Sequence, residues 1–473
     1  MWNRYYTAVQ EHEVLAILEE LKDGARITAG ATDLILEIEH GVRTGIDTII
    51  DISRAEDLSH IEIDDRGFIH LGPGVTHTHV VASSMLREKA LPLVQACWSV
   101  GSPQIRCRGT VAGNLATASP ANDTIAPLMA LGAHVILRST HGERDIPLHD
   151  FYTGVRKTVM NPDEMIVDIY FPAMQSNQKG LFIKHGLRKA QAISIFNAAV
   201  LLTLEEGLVK TASITLGAVA PTIVHASEAE AWLAGQPLNE KTASKAGELA
   251  ALSATPISDI RSSSQYRQLM VQTLIQRALQ TIISGDMENI LPANPVLMDS
   301  EEKPSAPSPE GYYHDKNTPI ITTINGREYR LESGQNKTLL RLLREDVGLS
   351  GAKEACGEGE CGACTVIMDG ALVNSCQVPA PRAHGARIET VEGLASEDKL
   401  HPIQVSFIDN GAIQCGYCTP GFLMSTKKLL EEKAHPTREE IQWALSGNLC
   451  RCTGYYKIIE AVEKAARDMH HNS

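Results

Sequence analysis

The sequence predicts an α+β chain of several domains: a mixed α/β part, then a small sheet-forming part, then an all-helical part. Three observations predict it. At 473 residues the chain exceeds one ordinary core, since a domain commonly takes roughly 150 residues. The hydrophobic periodicity changes along the chain, from interleaved helix and strand patterns to a hairpin pattern and then to a purely helical one. Eight of the ten cysteines lie between Cys356 and Cys452, with only Cys97 and Cys107 outside that stretch.

In the first part, EVLAILEELKD has helical spacing, and TIIDI, FIHLG and AHVILRS are short apolar strand candidates. His77 and His79 in GVTHTHV stand at alternate positions, as on a strand, and are read as polar packing rather than as a metal pair. From Leu291 to Pro319 the chain is rich in Pro, Ser and charge and has no periodicity, which predicts an interdomain linker.

Beyond the linker, PIITTINGREYRL alternates around Asn325-Gly326, a dipeptide suited to a type I′ turn because both positions tolerate φ > 0. A β-hairpin is expected there, followed by a helix at TLLRLLREDVG. From Pro402 onward four helices are expected, at PIQVSFIDNG, PGFLMSTKKLLEEK, TREEIQWALSG and GYYKIIEAVEKAARD. Thr437 with Glu440 three residues later forms a capping-box signal for the third.

Composition narrows the function classes. With 43% hydrophobic and 21% charged residues the chain is globular in balance rather than disordered. A formal net charge of −14 repels nucleic-acid phosphates and anionic lipids, and no basic patch offsets it. The N-terminus lacks a signal-peptide pattern and no segment has the length of a spanning helix, so a cytoplasmic protein is expected. In that reducing compartment clustered thiols point to metal rather than to disulfides.

Cys356, Cys361, Cys364 and Cys376 follow the spacing C-x4-C-x2-C with a distant fourth cysteine, the plant-type ferredoxin arrangement in which four thiolates bind two irons. Gly357, Gly359 and Gly362 let the loop wrap closely around such a group. A structural zinc site usually shows two compact C-x2-4-C pairs and fits this spacing poorly. Cys415 and Cys418 in QCGYCTPGF, with Cys450 and Cys452 in GNLCRCTGYY, form a second set. Pro420 suits the first turn of a helix and Gly454 breaks the chain before the last one, so both pairs would sit beside helix N-termini. Taken alone, this second set is compatible with zinc as well as with a cluster.

These strings, above all QCGYCTPG and CRCTGY, resemble the iron–sulfur domains of the xanthine dehydrogenase family of molybdenum hydroxylases. The resemblance implies one [2Fe-2S] cluster in a ferredoxin-like β-grasp domain and another in an all-α four-helix domain nearer the molybdopterin. Gln414 matches a position whose side chain approaches that cofactor on a partner subunit. The first part resembles the family's flavoprotein, with a PCMH-type FAD-binding domain and a C-terminal subdomain. AGATDL and GSPQIRCRGTVAGNLATASPANDT carry that likeness, although on turn statistics alone each stretch reads as an ordinary turn.

By resemblance Ala29, Gly30, Ala31, Thr32, Asp33 and Leu34 line the FAD pyrophosphate, and Thr110, Val111, Ala112, Gly113 and Asn114 contact the cofactor again. Asp123 binds a polar part of FAD, Lys184 matches a basic residue near the flavin edge, and Ile166 belongs to a segment packing on the ring. Ala31 and Ala112 replace glycines usual at these places, so both backbones are expected to keep φ < 0. The implied domains are 1–175 (FAD-binding, two α/β subdomains), 176–290 (flavoprotein C-terminal), 291–317 (linker), 318–395 (ferredoxin-like) and 396–473 (helical).

No stretch resembles a molybdopterin-binding domain, so hydroxylation is expected on a partner large subunit. Electrons would pass through the two clusters to FAD and then to NAD or another acceptor. A heteromeric assembly, such as a dimer of heterodimers, is implied. Two readings from other classes stand beside this one: a self-sufficient NADH-dependent flavin/iron–sulfur reductase, and a non-enzymatic zinc-binding assembly module.

Overall fold

A computed structural model describes residues 2–300, 307–396 and 399–470. The chain divides into two compact units, one of residues 1–56, 101–109 and 294–473, the other of residues 57–100 and 110–293.

In the first unit the N-terminal segment runs strand, helix, strand, helix, strand: Arg4–Thr7, Glu11–Leu21, Ala25–Thr28, Leu34–Glu39 and Thr48–Asp51. Helix Glu11–Leu21 is the one expected at EVLAILEELKD. Its start is held by the Glu13 carboxylate, which accepts from the Val9 and Gln10 N–H groups at 2.8 and 3.0 Å. Thr48–Asp51 lies parallel between Arg4–Thr7 and Ala25–Thr28.

The outer edge of Arg4–Thr7 is paired antiparallel by Tyr312–His314, with Tyr6 opposite Tyr313. This corrects the reading of 291–317 as a plain linker. Tyr312 to His314 form a short β-prone run that satisfies an open sheet edge, and Gly311 N–H donates to Glu13 at 2.7 Å. The head of the segment is fixed as well. Val296 and Met298 are buried in the helical domain's core, and the Glu432 carboxylate accepts from the Leu297 and Met298 N–H groups, each at 2.7 Å. Residues 301–306 of this segment lie outside the described residues.

The ferredoxin-like part is a five-stranded mixed sheet in the order Arg327–Leu331, Ile320–Ile324, Arg387–Glu389, Thr365–Met368 and Ala371–Asn374. The expected hairpin forms, with Asn325 and Gly326 at φ +51° and +77°. The expected helix is a single turn, Leu339–Arg341, that widens into a π-turn at Leu342–Asp346. It lays Leu339, Leu340, Leu342 and Leu343 against the sheet.

The four expected helices are Pro402–Asp409, Thr419–Glu432, Arg438–Ala444 and Tyr456–His470, packed around Phe407, Phe422, Leu429, Ile441 and Val462. Each such buried side chain contributes about 1.5–3 kcal/mol. The Thr437–Glu440 capping box is formed.

The second unit holds a five-stranded antiparallel sheet, 61–63, 68–71, 165–172, 134–139 and 142–147 in spatial order, and a four-stranded antiparallel sheet, 178–185, 196–205, 208–217 and 224–225. Helices Glu240–Leu252 and Ser264–Ser284 pack together beside the latter. His77 and His79 are not on a strand: Thr76 caps a helix at His77–Ala82, its hydroxyl accepting from His79 N–H at 3.1 Å. A Thr ahead of a polar–apolar run acts as an N-cap that alternation alone does not reveal. No helix among the described residues is long and apolar enough to cross a membrane.

Candidate electron-transfer centres

Cys356, Cys361 and Cys364 lie in the loop before strand Thr365–Met368, and Cys376 lies in the turn after Ala371–Asn374. The loop coils because Gly357, Gly359 and Gly362 take φ of +70°, +74° and +66°. Two buried amides hold it in place. Asn374 Nδ2 donates to Gly359 O at 2.7 Å, and Gln377 Nε2 donates to Gly357 O at 3.1 Å.

The thiols stand in pairs. Cys361 beside it and the Glu358 N–H, 3.3 Å away, hold the Cys356 thiol down to about 5 against its partial burial. Cys356 in turn pushes the Cys361 thiol up, helped by burial, and Cys364 together with burial pushes Cys376 up.

The second quartet sits where helix Thr419–Glu432 begins and where the chain turns before Tyr456–His470. Cys415 and Cys452 sulfurs are 3.6 Å apart. Burial and the neighbouring Cys450 push the Cys418 thiol up to about 12. Burial also opposes ionisation of Cys450, but the Thr453 hydroxyl and N–H, at 3.1 and 3.4 Å from its sulfur, outweigh it and lower that thiol.

In each quartet the sulfurs stand pairwise, Cys356 with Cys361 and Cys364 with Cys376, and Cys415 with Cys452 and Cys418 with Cys450. A two-iron cluster takes two thiolates at each iron, whereas zinc draws four ligands to one point. The donor sets fit the cluster.

The quartets differ in exposure. Cys364 and Cys376 are buried, while Cys415 and Cys452 are exposed, as is Gln414. Around the exposed pair stand Ile413, Tyr417, Leu449, Tyr455 and Tyr456, the last 71% exposed.

The flavin-type segments are placed as follows. In the first unit, Ala29 to Asp33 form the turn between strand Ala25–Thr28 and the helix that begins at Leu34. A Cβ on Gly30 would lie 2.2 Å from Arg108 O, so only glycine fits that position. Ala31 has φ +62°, which corrects the expectation of φ < 0: the turn needs the left-handed region whichever residue occupies it. Ala112 keeps φ < 0 inside helix Val111–Thr117, as expected.

In the second unit, Thr110 caps that helix, its hydroxyl accepting from Gly113 N–H at 3.0 Å. Asn114 Oδ1 accepts from the Thr124 hydroxyl at 2.5 Å, fixing the turn that carries Asp123. Asp123 and Lys184, far apart in sequence, meet in a buried ion pair of 2.6 Å. The other carboxylate oxygen accepts from Ser194 and Asn197 at 2.6 and 3.1 Å. Ile166 is buried in strand Met165–Pro172 at an irregularity in its pairing.

Sequence reasoning missed Asn374, Gln377, Ser194 and Asn197. Asn374 and Gln377 flank Cys376 within N-S-C-Q, a signal that was available in the sequence. Asn197 reaches Asp123 through strand pairing, lying opposite Lys184, and Ser194 stands two positions before that strand.

Comparison with known proteins agrees with this geometry. Residues 2–174 match the FAD binding domain in molybdopterin dehydrogenase, and residues 182–282 match the CO dehydrogenase flavoprotein C-terminal domain. Residues 322–388 match a 2Fe-2S iron-sulfur cluster binding domain, and residues 390–463 match a [2Fe-2S] binding domain.

The chain is 51% identical over 146 residues to the nicotinate dehydrogenase small FeS subunit of Eubacterium barkeri, covering 31% of this chain and 93% of that protein. It is 50% identical over 143 residues to the nicotine 6-hydroxylase small subunit of Paenarthrobacter nicotinovorans, covering 30% and 86%. Among solved structures, a chain of quinoline 2-oxidoreductase from Pseudomonas putida 86 superposes with a TM-score of 0.57 at 26% identity, covering 61% of this chain and 98% of that one. A chain of the Cu,Mo-CO dehydrogenase gives a TM-score of 0.57 at 29% identity, covering 61% and 98%. With both of its cysteine quartets and both flavoprotein domains accounted for, the chain belongs to the xanthine dehydrogenase family of molybdenum hydroxylases, as an electron-transfer subunit that joins the FAD-binding and [2Fe-2S] parts in one polypeptide.

Proposed function

We propose that the chain takes electrons from a molybdopterin-bearing large subunit at its more exposed cysteine quartet, that of the helical domain, and passes them through the more buried quartet to FAD, and from there to NAD or another acceptor. The unequal exposure of the two quartets carries this reading. The more exposed one, with Gln414 and an apolar, tyrosine-rich surround, is suited to burial against a partner. Gln414 would reach toward the partner's cofactor.

FAD, when bound, accepts electrons singly and can release them in pairs. Ala29 to Leu34 would approach its pyrophosphate by backbone, and Thr110 to Asn114 would contact it a second time. Asp123, held rigid by Lys184, would meet a polar part of the cofactor, and Ile166 would pack near its ring. The assembly would be heteromeric, a dimer of heterodimers. Substrate choice then belongs to the large subunit.

Co-expression with a candidate large subunit tests this. The two should co-purify with molybdenum and hydroxylate substrate together, while the isolated chain only oxidises NADH with a dye. Hydroxylation by the isolated, molybdenum-free chain would refute the division of labour, and failure to recruit any molybdenum subunit would favour the self-sufficient reductase.

A further inference from the structure

Within the first unit, the loops of the two cysteine quartets are joined by a buried polar node to which residues 101–109 also contribute. At its centre is Asn448, 2% exposed and two positions before Cys450. Its Nδ2 donates to Gly362 O at 3.1 Å, in the loop between Cys361 and Cys364. Its Oδ1 accepts from the Ser425 hydroxyl at 2.7 Å and from Gln104 Nε2 at 3.3 Å. Gln104, 1% exposed, also donates to the Thr365 hydroxyl at 3.3 Å, and that hydroxyl donates to Gly362 O at 2.7 Å. Next to Asn448, Leu449 N–H donates to the carbonyl of Cys361 at 2.9 Å.

The packing at this point leaves no slack. A Cβ on Gly362 would fall 2.3 Å from Gly447 O, and one on Gly421 would fall 2.1 Å from Gly362 O. The neighbours of Gln104 are anchored in the same way: the Arg106 guanidinium lies 4.9 Å from the centre of the Trp443 ring, and Ile105 packs at Gly359 in the first cysteine loop. Residues 101–109 run directly into Thr110, so the stretch that resembles a flavin signature also braces both cysteine loops.

We propose that Gln104 and Asn448 are positioning residues that fix the separation of the two cluster loops and so set the rate of electron passage between them. The inference rests on the electron-transfer reading above. The step it would govern is passage of one electron from the helical-domain cluster to the ferredoxin-like one when both are bound, with Gln104 and Asn448 holding the loops that carry their ligands. No bond is made or broken and no proton is required. The two side chains touch neither quartet's sulfurs, so they act through the loops. Removing either buried amide leaves its partners unsatisfied, which shifts the loops without unfolding a domain of this size.

The test uses the purified full chain and its Gln104→Ala and Asn448→Ala variants. Iron, sulfide and flavin are assayed first, because a wild-type chain lacking clusters would fail the parent reading rather than this one. With both clusters reduced, the wild type should show magnetic splitting between them at low temperature. Both variants should retain their iron yet lose that splitting, and should redistribute electrons between the clusters more slowly after rapid partial reduction. The double variant should lose no more than the single ones, since the two amides act as one node. Should Asn448→Ala lose a cluster outright, Gln104→Ala decides. Unchanged splitting and rate in a fully loaded Gln104→Ala chain overturns the proposal.

Discussion

Ala31 sits at φ +62° and is 6% exposed. A β-carbon in the left-handed region costs roughly 1–2 kcal/mol, while glycine adds back up to about 1 kcal/mol of unfolded-chain entropy. Ala31→Gly should therefore stabilise the chain by about 0.5–1 kcal/mol in a denaturant titration, and a neutral or destabilising result would show that the turn is not strained. The fully satisfied Asp123 carboxylate works in the opposite direction. Lys184→Met leaves a buried charge with two neutral donors in place of a cation, a loss of about 3 kcal/mol. It should lower the melting temperature and deplete bound flavin together. Normal stability with flavin lost would make Lys184 a pure cofactor contact.

Among the elements, those legible in the sequence were set by neighbours in sequence: the Asn325-Gly326 turn, the Thr437 cap and the helix opened by Pro420. The strand at Tyr312 to His314 was not legible, because its partner lies some three hundred positions away at Tyr5 to Thr7 and three residues show no period. The same holds for the segment head, where Met298 is buried by helices far downstream. Asp299 follows it, and burial raises its carboxyl to about 6, only partly offset by the Ser300 N–H and by Lys428 and Arg108. A folded value above the unfolded one means that the protonated form favours folding. That contribution is complete below about pH 4 and is lost as pH rises through about 6. Asp299→Asn should flatten stability across that window and leave the chain more stable at neutral pH. An unchanged pH profile would show that Asp299 does not carry the dependence.

For the whole molecule, the one expected linker at 291–317 and the separate folds expected of the ferredoxin-like and helical parts would make the domains independent of each other. The first unit is built otherwise, with Leu449 bonded to the Cys361 carbonyl and Asn448 to Gly362. Cys361→Ser should thus abolish the ferredoxin-like cluster and also alter the spectrum of the helical-domain one. An untouched second signal would restore the picture of independent domains.

The cysteine quartets themselves were legible residue by residue, because metal-ligand spacing is local. Their unequal exposure was not, because it depends on how the sheet and the helices close over each loop. Whether each quartet holds a two-iron cluster is decided by chemical analysis of the purified chain. About four iron and about four acid-labile sulfide per chain are expected. Stoichiometric zinc without sulfide would contradict the two-iron reading.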